Sequence, residues 1–501
     1  MKRLLLILAL GLATCTAWAQ QTLWVATGEI KYAFDAQQLG QMPFSNGGTT
    51  LTLQGKAFNV SDIDSIYVTS DIIDSNTITV NYDGDHASAI IAGNIATLVT
   101  PTLDGAHVTM AQDTTMQQEI FYTLSGTSTN GSFSQSGNYK ATLILNGLTL
   151  TSTRGAAITI DDGKRIEIQV ADGTTNTLTD CAKGKQSACF VVEGHSEFKG
   201  GGNLVLTGNT KHGFKSDEYM ELKKSFTGTI TVKNAVGDGV SVNQYLEVKS
   251  GSIIVEQCTG DGIQIDCKKD STKTNNGQFI MSNGYISVNA IEDGAKGIKV
   301  EQDITIDGGQ ILVTSDDNAL HSKTRINING GQIYAYSVAA HGVNAGGDTL
   351  AISGGTIVAY AASTVGYGLR GTTHLFIKGG NIAAVGALMS TPKTSTDTVP
   401  TQPALTYTAT MPKTNFALCD ASGNSIMAFT QARAYSSSKK HTLLLSSPSI
   451  TQGTGYTLYS GSTLDTSKDN WNGLYTSGDA VTTPGTALAT GTAALPYSAL
   501  Q

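Results

Sequence analysis

Short runs of alternating apolar and polar residues recur along most of the chain. Seven of these runs begin with a small residue followed by an apolar one. Counted from the residue before the small one, positions +2 and +4 are mostly apolar and positions +3 and +5 are mostly polar. An alternation with a period of two predicts short β-strands with one buried and one solvated face. The seven starts are His212-Gly213-Phe214, Asp238-Gly239-Val240, Asp261-Gly262-Ile263, Lys296-Gly297-Ile298, Asn318-Ala319-Leu320, His341-Gly342-Val343 and Tyr367-Gly368-Leu369.

These starts are separated by 26, 23, 35, 22, 23 and 26 residues, and a Gly-Gly marker falls between them at Gly308, Gly330, Gly354 and Gly379. A fixed period of this length with several β segments per unit is typical of a solenoid. The leucine-rich pattern is absent, and a propeller blade needs nearly twice the length. We therefore predict an all-β parallel β-helix with rungs of about 22–26 residues. A loop at residues 268–278 accounts for the 35-residue interval.

The rung pattern also divides the chain into regions. We predict a signal peptide at residues 1–19, an N-terminal β region at 20–110, a β-helix domain at 120–412 and a C-terminal β region at 413–501. The first clear rung starts near Tyr139 and the last ends near Val385, before a Thr/Pro/Ser-rich stretch at residues 389–412. Because the end of a solenoid exposes unpaired strand edges, we expect the C-terminal region to cover that end.

Composition and the N-terminus place the protein outside the cytoplasm. The chain has 56 Gly, 9 Pro and 14% charged residues, which suits a β-rich fold with many turns. Lys2 and Arg3, an apolar core and Ala17-Trp18-Ala19 form a secretory leader, so we expect a secreted or cell-surface protein. Lipoprotein processing at Cys15 is disfavoured because Thr14 precedes it. No later apolar run is long enough to span a membrane.

Charge and cysteine content narrow the chemistry further. Cleavage after residue 19 would leave 30 basic and 40 acidic residues, a net charge of −10 (30 − 40), which excludes a typical nucleic-acid binder. The spacing of Cys181, Cys189, Cys258, Cys267 and Cys419 matches no zinc motif. Two interpretations stay open: local disulfides 181–189 and 258–267, or free buried thiols.

Equivalent positions on neighbouring rungs should stack about 4.8 Å apart. Asp238 and Asp261 then become neighbours, and adjacent carboxylates usually share a proton, a basic partner or a metal ion. Two interpretations stay open, solvated turn acids or at least one Ca²⁺ site, since Ca²⁺ favours oxygen ligands from several elements. The candidate metal ligands are Asp238, Asp261, Asp293, Asp316 and Asp317.

The +3 positions should form one flat outward strip beside the acidic corner. Its members are Lys215, Ser241, Gln264, Lys299, His321, Asn344 and Arg370. Cationic donors suit uronate carboxylates, so a linear polysaccharide could lie along this strip. We take Lys215, Gln264, Lys299, His321 and Arg370 as candidate ligand-binding residues. Trp24 and Trp471 are the tryptophans after the leader, so an aromatic stacking platform is not evident.

The rung pattern, the "GGQI" and "DGI" markers and the acidic corners resemble a family of secreted bacterial carbohydrate-binding proteins. The resemblance covers about residues 140–460, including "YTLYSG" at 456–461. It implies a right-handed parallel β-helix that binds calcium and acidic polysaccharides such as polygalacturonate, and also cellulose. It implies Ca²⁺ at the five aspartates named above. Lys296 and Asn318 interrupt the aspartate column, which leaves the number of ions open.

These features lead us to predict a non-catalytic protein that binds polysaccharide with the aid of Ca²⁺. Two enzymatic alternatives remain. Asp316-Asp317 followed by His341-Gly342 is similar to elements of polygalacturonases, but the upstream Asn-x-Asp element is missing. A lyase would need Ca²⁺ and a base, for which Lys299 or Arg325 are candidates. A third alternative is a surface adhesin or structural protein, and the fold alone does not decide among them.

Overall fold

The fold is an all-β parallel solenoid of about 11 turns, as the periodicity predicts. The computed structural model describes residues 21–268, 272–394, 401–431, 433, 435 and 439–501. The predicted leader with Cys15, and parts of the predicted loops at 268–278 and 389–412, lie outside these residues. Each complete turn contributes one strand to each of three parallel sheets.

The first sheet contains twelve strands and carries the predicted strip. Its first two strands are antiparallel to each other, and every later pairing is parallel. In chain order they are Val99–Asp104, Ala106–Gln112, Gly131–Ser136, Ile158–Asp161, Ala188–Val192, His212–Ser216, Val240–Val242, Ile263–Ile265, Ile298–Val300, Leu320–Ser322, Val343–Ala345 and Leu369–Gly371.

The second and third sheets complete each turn. Two long strands, Ile120–Ser128 and Ala141–Thr151, run across the corner between these sheets and start both of them. The second sheet continues with Arg165–Val170, His195–Gly200, Met220–Phe226, Tyr245–Val248, Gln278–Met281, Ile304–Ile306, Ile326–Ile328, Thr349–Ile352, His374–Ile377 and Pro392–Lys393. The third continues with Thr175–Thr179, Asn203–Gly208, Thr229–Ala235, Ser252–Val255, Tyr285–Ala290, Gln310–Ser315, Gln332–Ser337, Thr356–Ala361 and Asn381–Gly386.

The core lies inside the solenoid and follows the predicted alternation. Val240 and Val242, like Ile263 and Ile265 one turn later, are fully buried. In the next two turns the +3 side chains between the buried positions are half-buried at Lys299 and His321. Stacking identical aliphatic positions in successive turns makes one continuous apolar column, which stabilises parallel strands that no single turn could hold.

The N-terminal part of the chain folds against the first turns. Its strands are Thr22–Thr27, Ile30–Asp35, Phe44–Ser45, Thr50–Leu53, Lys56–Asn59, Ser65–Thr69, Thr77–Asp83 and His86–Ala92. Thr77–Asp83 pairs in parallel with Ile120–Ser128, so the N-terminal strands continue directly into the solenoid. The helices of the described part are four short 3-10 turns, Asn46–Gly48, Val60–Asp62, Gly93–Ile95 and Gly478–Ala480, and none is long enough to cross a membrane.

The C-terminal part pairs with the last turn and also covers one side of the solenoid. His441–Ser446 lies antiparallel to Asn381–Gly386, and Ala404–Ala409 pairs with it on the other side. A second, antiparallel sheet packs on the outer face of the third sheet, where it buries Tyr336, Val358 and Tyr360. The remaining strands are Thr414–Asp420, Ser425–Gln431, Gly455–Ser460, Thr463–Leu464, Leu474–Tyr475, Val481–Thr483, Thr486–Thr492 and Tyr497–Ala499.

The cysteines settle one of the open alternatives. All five described cysteines are free thiols, so neither the 181–189 nor the 258–267 disulfide forms. Cys189, Cys258 and Cys419 are buried, and burial raises the pKa of the Cys258 thiol to about 12. A protonated thiol packed in an apolar stack behaves as a small hydrophobic side chain.

Candidate functional site

The predicted +3 residues form one continuous column on the outside of the first sheet. Their Cα positions pair directly from turn to turn. The pairs are Lys215 with Ser241, Ser241 with Gln264, Gln264 with Lys299, Lys299 with His321, His321 with Asn344 and Asn344 with Arg370. We call these seven residues the strip. A glycine or alanine lies at the corner before each strand. The register of the strands is fixed because a shift by one residue would place polar side chains in the core.

The residues that precede the corner glycines form a second column, which we call the corner column: His212, Asp238, Asp261, Lys296, Asn318, His341 and Tyr367. Several of its side chains accept a hydrogen bond from the backbone of the next turn. Asp261 N–H donates to Asp238 Oδ1 and Lys296 N–H donates to Asp261 Oδ1, both at 2.9 Å. Tyr367 N–H donates to His341 Nδ1 at 3.1 Å. The corner acids therefore satisfy buried backbone donors.

Asp238 is the most strongly perturbed acid of this column. It is 8% exposed, and burial together with the nearby carboxylate of Asp261 raises its pKa to about 6. The preceding column member, His212, accepts the Asp238 N–H at Nδ1. Burial lowers the pKa of His212 to about 4, so the ring is neutral at pH 7 and carries its hydrogen on Nε2. At neutral pH, His212 and Asp238 therefore each accept a backbone N–H from the next turn, and these hydrogen bonds hold successive corners together.

The five predicted metal ligands do not form one cluster. Asp238 and Asp261 are adjacent, whereas Asp316 and Asp317 lie beyond Lys296, and Asp293 is exposed. Asp316 Oδ2 accepts Gly294 N–H at 2.9 Å, and Asp317 accepts from Asn318 and contacts the ammonium of Lys296. Within the part of the chain that the structure describes, no group of three or more His, Cys, Asp or Glu residues is arranged to hold a metal ion.

Calcium fits this corner poorly as it is built. Asp238 and Asp261 each use one oxygen for a backbone N–H, and Asp261 Oδ2 is 3.1 Å from Lys299 Nζ. A bound Ca²⁺ would have to replace that ammonium and take most of its six to eight oxygen ligands from carbonyls and water. Calcium binding stays a prediction.

The middle of the strip is a network of side chains with opposite charges. Lys299 Nζ contacts Asp261 Oδ2 at 3.1 Å and donates to Gln264 Oε1 at 3.3 Å, and Gln264 Nε2 donates to Asp266 at 2.8 Å. Burial by itself lowers the pKa of Lys299, but the neighbouring carboxylates, chiefly Asp261, outweigh it and raise the pKa above its ordinary value. Lys299 is therefore charged at neutral pH and can donate to a ligand.

The C-terminal end of the strip carries positive charge without a carboxylate partner. Arg370 contacts His341 Nε2 at 3.2 Å and lies over the ring of Tyr367, 5.5 Å from its centroid. Burial and the adjacent Arg370 charge lower the pKa of His341 to about 4. Asn344 bridges Asn318 and His321 at 3.2 and 3.1 Å. Among the described residues, no carboxylate forms an ion pair with Arg370, which leaves its guanidinium available to an anion.

The N-terminal end of the strip is bordered by acids. Lys215 Nζ is 2.5 Å from Asp217 Oδ1, which also accepts from Asn243 at 2.6 Å. The hydrogen bond that protonated Glu193 shares with the Asp217 carboxylate, followed by burial, raises the pKa of Glu193 to about 6. All five candidate ligand residues thus contact other side chains of the protein. The two lysines among them, Lys215 and Lys299, pair with acids, whereas Arg370 has no acid partner among the described residues.

A polar groove of about 480 Å³ lies beyond the strip, at the corner between the first and second sheets. Arg325 lines it and pairs with Asp303, with 2.9 Å between Nη2 and Oδ2. The hydrogen bond to Asp303 raises the pKa of Arg325 above its ordinary value. Neither candidate for a lyase base, Arg325 or Lys299, is therefore held in the neutral form that proton abstraction needs.

The second sheet carries an outward network that the sequence analysis missed. Glu167, Glu197, Glu221 and Glu247 pair in register. Lys223 and Lys249 each bridge two neighbouring glutamates, and Lys199 pairs with Glu167. Beside them the rings of His195, Tyr219 and Tyr245 stack with centroid distances of 4.3 and 4.8 Å. The signal was present as Glu-apolar-Lys at residues 197–199, 221–223 and 247–249. Because its charges neutralise one another and its rings cover one another, this network stabilises the sheet.

Comparisons with known proteins agree with the sugar-binding interpretation of the fold. A family model described as "Carbohydrate-binding domain-containing protein" matches residues 104–295 and 292–342. A carbohydrate-binding domain-containing protein of Acetivibrio thermocellus is 31% identical over 122 residues, which are 22% of this chain and 42% of the relative, so less than half of that relative is spanned.

A solved structure also resembles this chain. It is the polysaccharide lyase-like protein from C. thermocellum, in its gadolinium derivative, with 20% identity, a TM-score of 0.37 and coverage of 56% of this chain and 96% of its own. The matches to the family model and to the relative indicate that residues 104–342, which include most of the strip, are similar to a carbohydrate-binding domain-containing family.

Proposed function

We propose that the protein is exported and binds a linear, carboxylate-bearing polysaccharide along the strip without cleaving it. The observation that carries the proposal is the register of the strip: seven polar or cationic side chains occupy equivalent positions in seven successive turns, and all but the buried Ser241 and Asn344 are partly exposed on one face. A repeating flat row of donors and acceptors matches a repeating ligand. The similarity of residues 104–342 to a carbohydrate-binding domain-containing family supports the same ligand class.

The charges of the strip favour an acidic sugar such as a uronate. Arg370 offers a guanidinium fork, which binds a carboxylate through two parallel hydrogen bonds. The whole chain carries a net charge of −8, so a polyanion is repelled at long range and must be held by local cations. A divalent cation between two carboxylates would reduce the same repulsion, which is the role that we propose for Ca²⁺.

The geometry disfavours catalysis. Lys299 and Arg325 are held protonated by their carboxylate neighbours, so neither of these two candidates supplies the neutral base that a lyase needs. Asp316 and Asp317, the candidate acids of a hydrolase, accept hydrogen bonds from Gly294 and Asn318. A hydrolase needs one carboxyl that gives a proton and one that activates water, and Asp317, with an N–H on one oxygen and the Lys296 ammonium on the other, is poorly suited to either role.

Retention on immobilised polygalacturonate tests the proposal. The purified protein is applied with Ca²⁺ and with chelator, while the flow-through is assayed for unsaturated products by absorbance and for new reducing ends. We expect retention without either product. Unsaturated products would instead identify a lyase and new reducing ends a hydrolase, and absence of retention would favour another glycan or an adhesive role.

A pair of arginine variants shows whether the strip is responsible. Arg370→Gln should weaken retention by about tenfold, because one bidentate charge-assisted contact is worth roughly 1.4 kcal/mol. Arg154→Gln is the matched control, since that arginine pairs with Asp104 away from the strip. Equal loss in both variants would show nonspecific attraction to cations, and no loss in Arg370→Gln would exclude the C-terminal end of the strip.

A further inference from the structure

A second concave site lies between the third sheet and the C-terminal sheet. It is a cleft of about 230 Å³, lined by Tyr334, Tyr360, Thr430, Arg433, Asn472 and Gly473. Tyr334 and Tyr360 project outward from two adjacent strands of the third sheet, with their rings at 64° and 6.0 Å apart. Of the residues that line the cleft, only Tyr334 falls within residues 104–342, and the cleft is on a different side of the solenoid from the strip.

One wall of the cleft is a rigid hairpin turn. Asn472 and Gly473 have φ of 45° and 86°, and Trp471 and Leu474 exchange backbone hydrogen bonds at 3.0 and 2.9 Å. An Asn-Gly pair with two positive φ angles is the preferred two-residue turn of a β-hairpin. Thr430 N–H donates to Gly473 O at 2.8 Å and fixes the turn to strand Ser425–Gln431. The exposed amide of Asn472 is thereby held at the rim of the cleft.

The opposite wall supplies a positioned cation. The guanidinium of Arg433 lies over the ring of Tyr336, 3.8 Å from its centroid, and Nη1 donates to Tyr336 Oη at 3.0 Å. Stacking on an aromatic ring orients the fork of an arginine and leaves its outer N–H groups free to bind. Arg433 also hydrogen-bonds the side chain of Tyr334, and it lines the cleft without a carboxylate partner among the described residues.

We propose that this cleft binds a single carboxylate-bearing sugar ring, such as a hexuronate unit. Arg433 would bind the carboxylate, the Tyr334 and Tyr360 rings would contact the apolar edge of the ring, and Asn472 would exchange hydrogen bonds with a hydroxyl. The volume is below the roughly 300–1,000 Å³ of sites for drug-sized ligands, which fits one ring and excludes a stretch of chain. The site is independent of the strip and does not rest on the proposed function.

Titration of the full-length protein with D-galacturonate and with D-galactose tests the cleft. The indole N–H signals of Trp471 and Trp24 are followed by NMR; Trp471 adjoins the cleft, and Trp24 lies in the first N-terminal strand. We expect galacturonate to shift Trp471 and not Trp24, with a dissociation constant on the order of 1 mM. Galactose should bind at least about tenfold more weakly, since it lacks the group that Arg433 recognises.

Three variants test whether the shift of the Trp471 signal comes from galacturonate bound in the cleft. Arg433→Gln should weaken galacturonate binding about tenfold. Asn472→Gly should weaken it to a lesser degree, because glycine keeps the turn's positive φ and removes only the amide. Arg154→Gln should bind as the parent protein does, since Arg154 pairs with Asp104 outside both the cleft and the strip, and equal thermal unfolding of all three would confirm that they fold.

Several results would overturn the assignment. Unchanged binding in Arg433→Gln, loss of binding in Arg154→Gln, or no saturable shift of Trp471 would each exclude the cleft as the site. Equal affinities for the two sugars would exclude carboxylate recognition. Retention of the Arg433→Gln variant on polygalacturonate is measured in parallel, so that failure of the cleft is distinguished from failure of the strip.

Discussion

At the scale of single residues, the corner column shows that one side chain has to satisfy two demands. Asp238 must accept the N–H of Asp261, which requires an oxygen at that point, yet it is buried beside a second carboxylate. A buried carboxylate is unfavourable in its charged form unless it is fully paired. The sequence showed that the two acids would be neighbours, but their orientation toward the backbone depends on the turn geometry and not on residue type.

Asp238→Asn should stabilise the protein at alkaline pH. Asn keeps the Oδ1 acceptor and removes the charge. The folded-state pKa of about 6 lies above the ordinary 3.8, so the wild-type carboxylate destabilises the fold above pH 6, and this effect disappears as the pH falls through 6 toward 4. We expect the variant to be more stable by about 2–3 kcal/mol at pH 8 and no more stable at pH 4.

Denaturant unfolding at a series of pH values, in chelator, measures this difference. A constant gap between the two proteins from pH 4 to pH 8 would contradict the raised pKa. The same preparations can be titrated with Ca²⁺, and an unchanged Ca²⁺ affinity in Asp238→Asn would remove the Asp238–Asp261 pair from any calcium site.

At the scale of elements, the residue at each corner is small where the facing residue of the third sheet is large. A Cβ on Gly262 would lie 2.1 Å from Val288 Cγ1, and one on Gly297 would lie 2.0 Å from Val313 Cγ1. Val288, Val313 and Ala335 pair in register, and the turn with Ala335 is the one in which Ala319 replaces the corner glycine. The small residue that marks each rung is therefore required by close packing across the interior.

This match predicts a rescue. Gly262→Ala should destabilise the protein by roughly 1–3 kcal/mol, because a methyl group would be forced against Val288. Val288→Ala should recover part of that loss in the double variant, as contacting residues are energetically coupled. Gly155→Ala is the control, since a Cβ there meets nothing within 4 Å. Urea unfolding of the four proteins tests the idea, and simple additivity of the two changes would disprove the coupling.

The same packing explains which of the three sheets could be predicted from the sequence. The first sheet was assigned from sequence because its register is fixed by a small residue in every turn. The second sheet lacks such a marker, so its glutamate and lysine columns were missed although their spacing was visible. In the third sheet, the segment "TIVAYAA" at residues 356–362 lacks the apolar–polar alternation, since the neighbouring residues Ile357 and Val358 are both apolar. A strand without alternation is buried on both faces, as the packing of the C-terminal sheet shows.

At the scale of the whole molecule, the C-terminal region protects both the edge and the side of the solenoid. His441–Ser446 occupies the hydrogen-bonding edge of Asn381–Gly386, and the antiparallel sheet covers Tyr336, Val358 and Tyr360. A protein that ends after residue 390 would expose that edge together with this apolar surface. Exposed strand edges of this kind pair with other chains.

We therefore expect the truncated protein to self-associate, while the full chain elutes at its own mass under the same conditions. Light scattering coupled to gel filtration distinguishes the two. A truncated protein that stays monomeric and folded would show that the C-terminal region has a function other than covering the solenoid.

The negative charge of the whole molecule gives a salt-dependent prediction for binding. Because the chain carries a net charge of −8, Ca²⁺ should increase retention on polygalacturonate more than NaCl of equal ionic strength, which only screens charge. Retention that responds equally to both salts would show that screening alone matters. Loss of retention with NaCl, without recovery by Ca²⁺, would identify the cations of the strip as sufficient.

The regular spacing of the strip has a consequence for how a polymer would occupy it. Six steps of about 4.8 Å separate the Cα positions of Lys215 and Arg370, so the strip is roughly 29 Å long and its positions are evenly spaced. A polymer with a regular repeat could move along the strip by one turn of the solenoid and meet a similar set of contacts. The side chains along it differ, however, from lysine at one end to arginine at the other. If the proposed polymer binds here, one register should bind best while its neighbours remain close in energy, which would allow the polymer to slide in steps without dissociating.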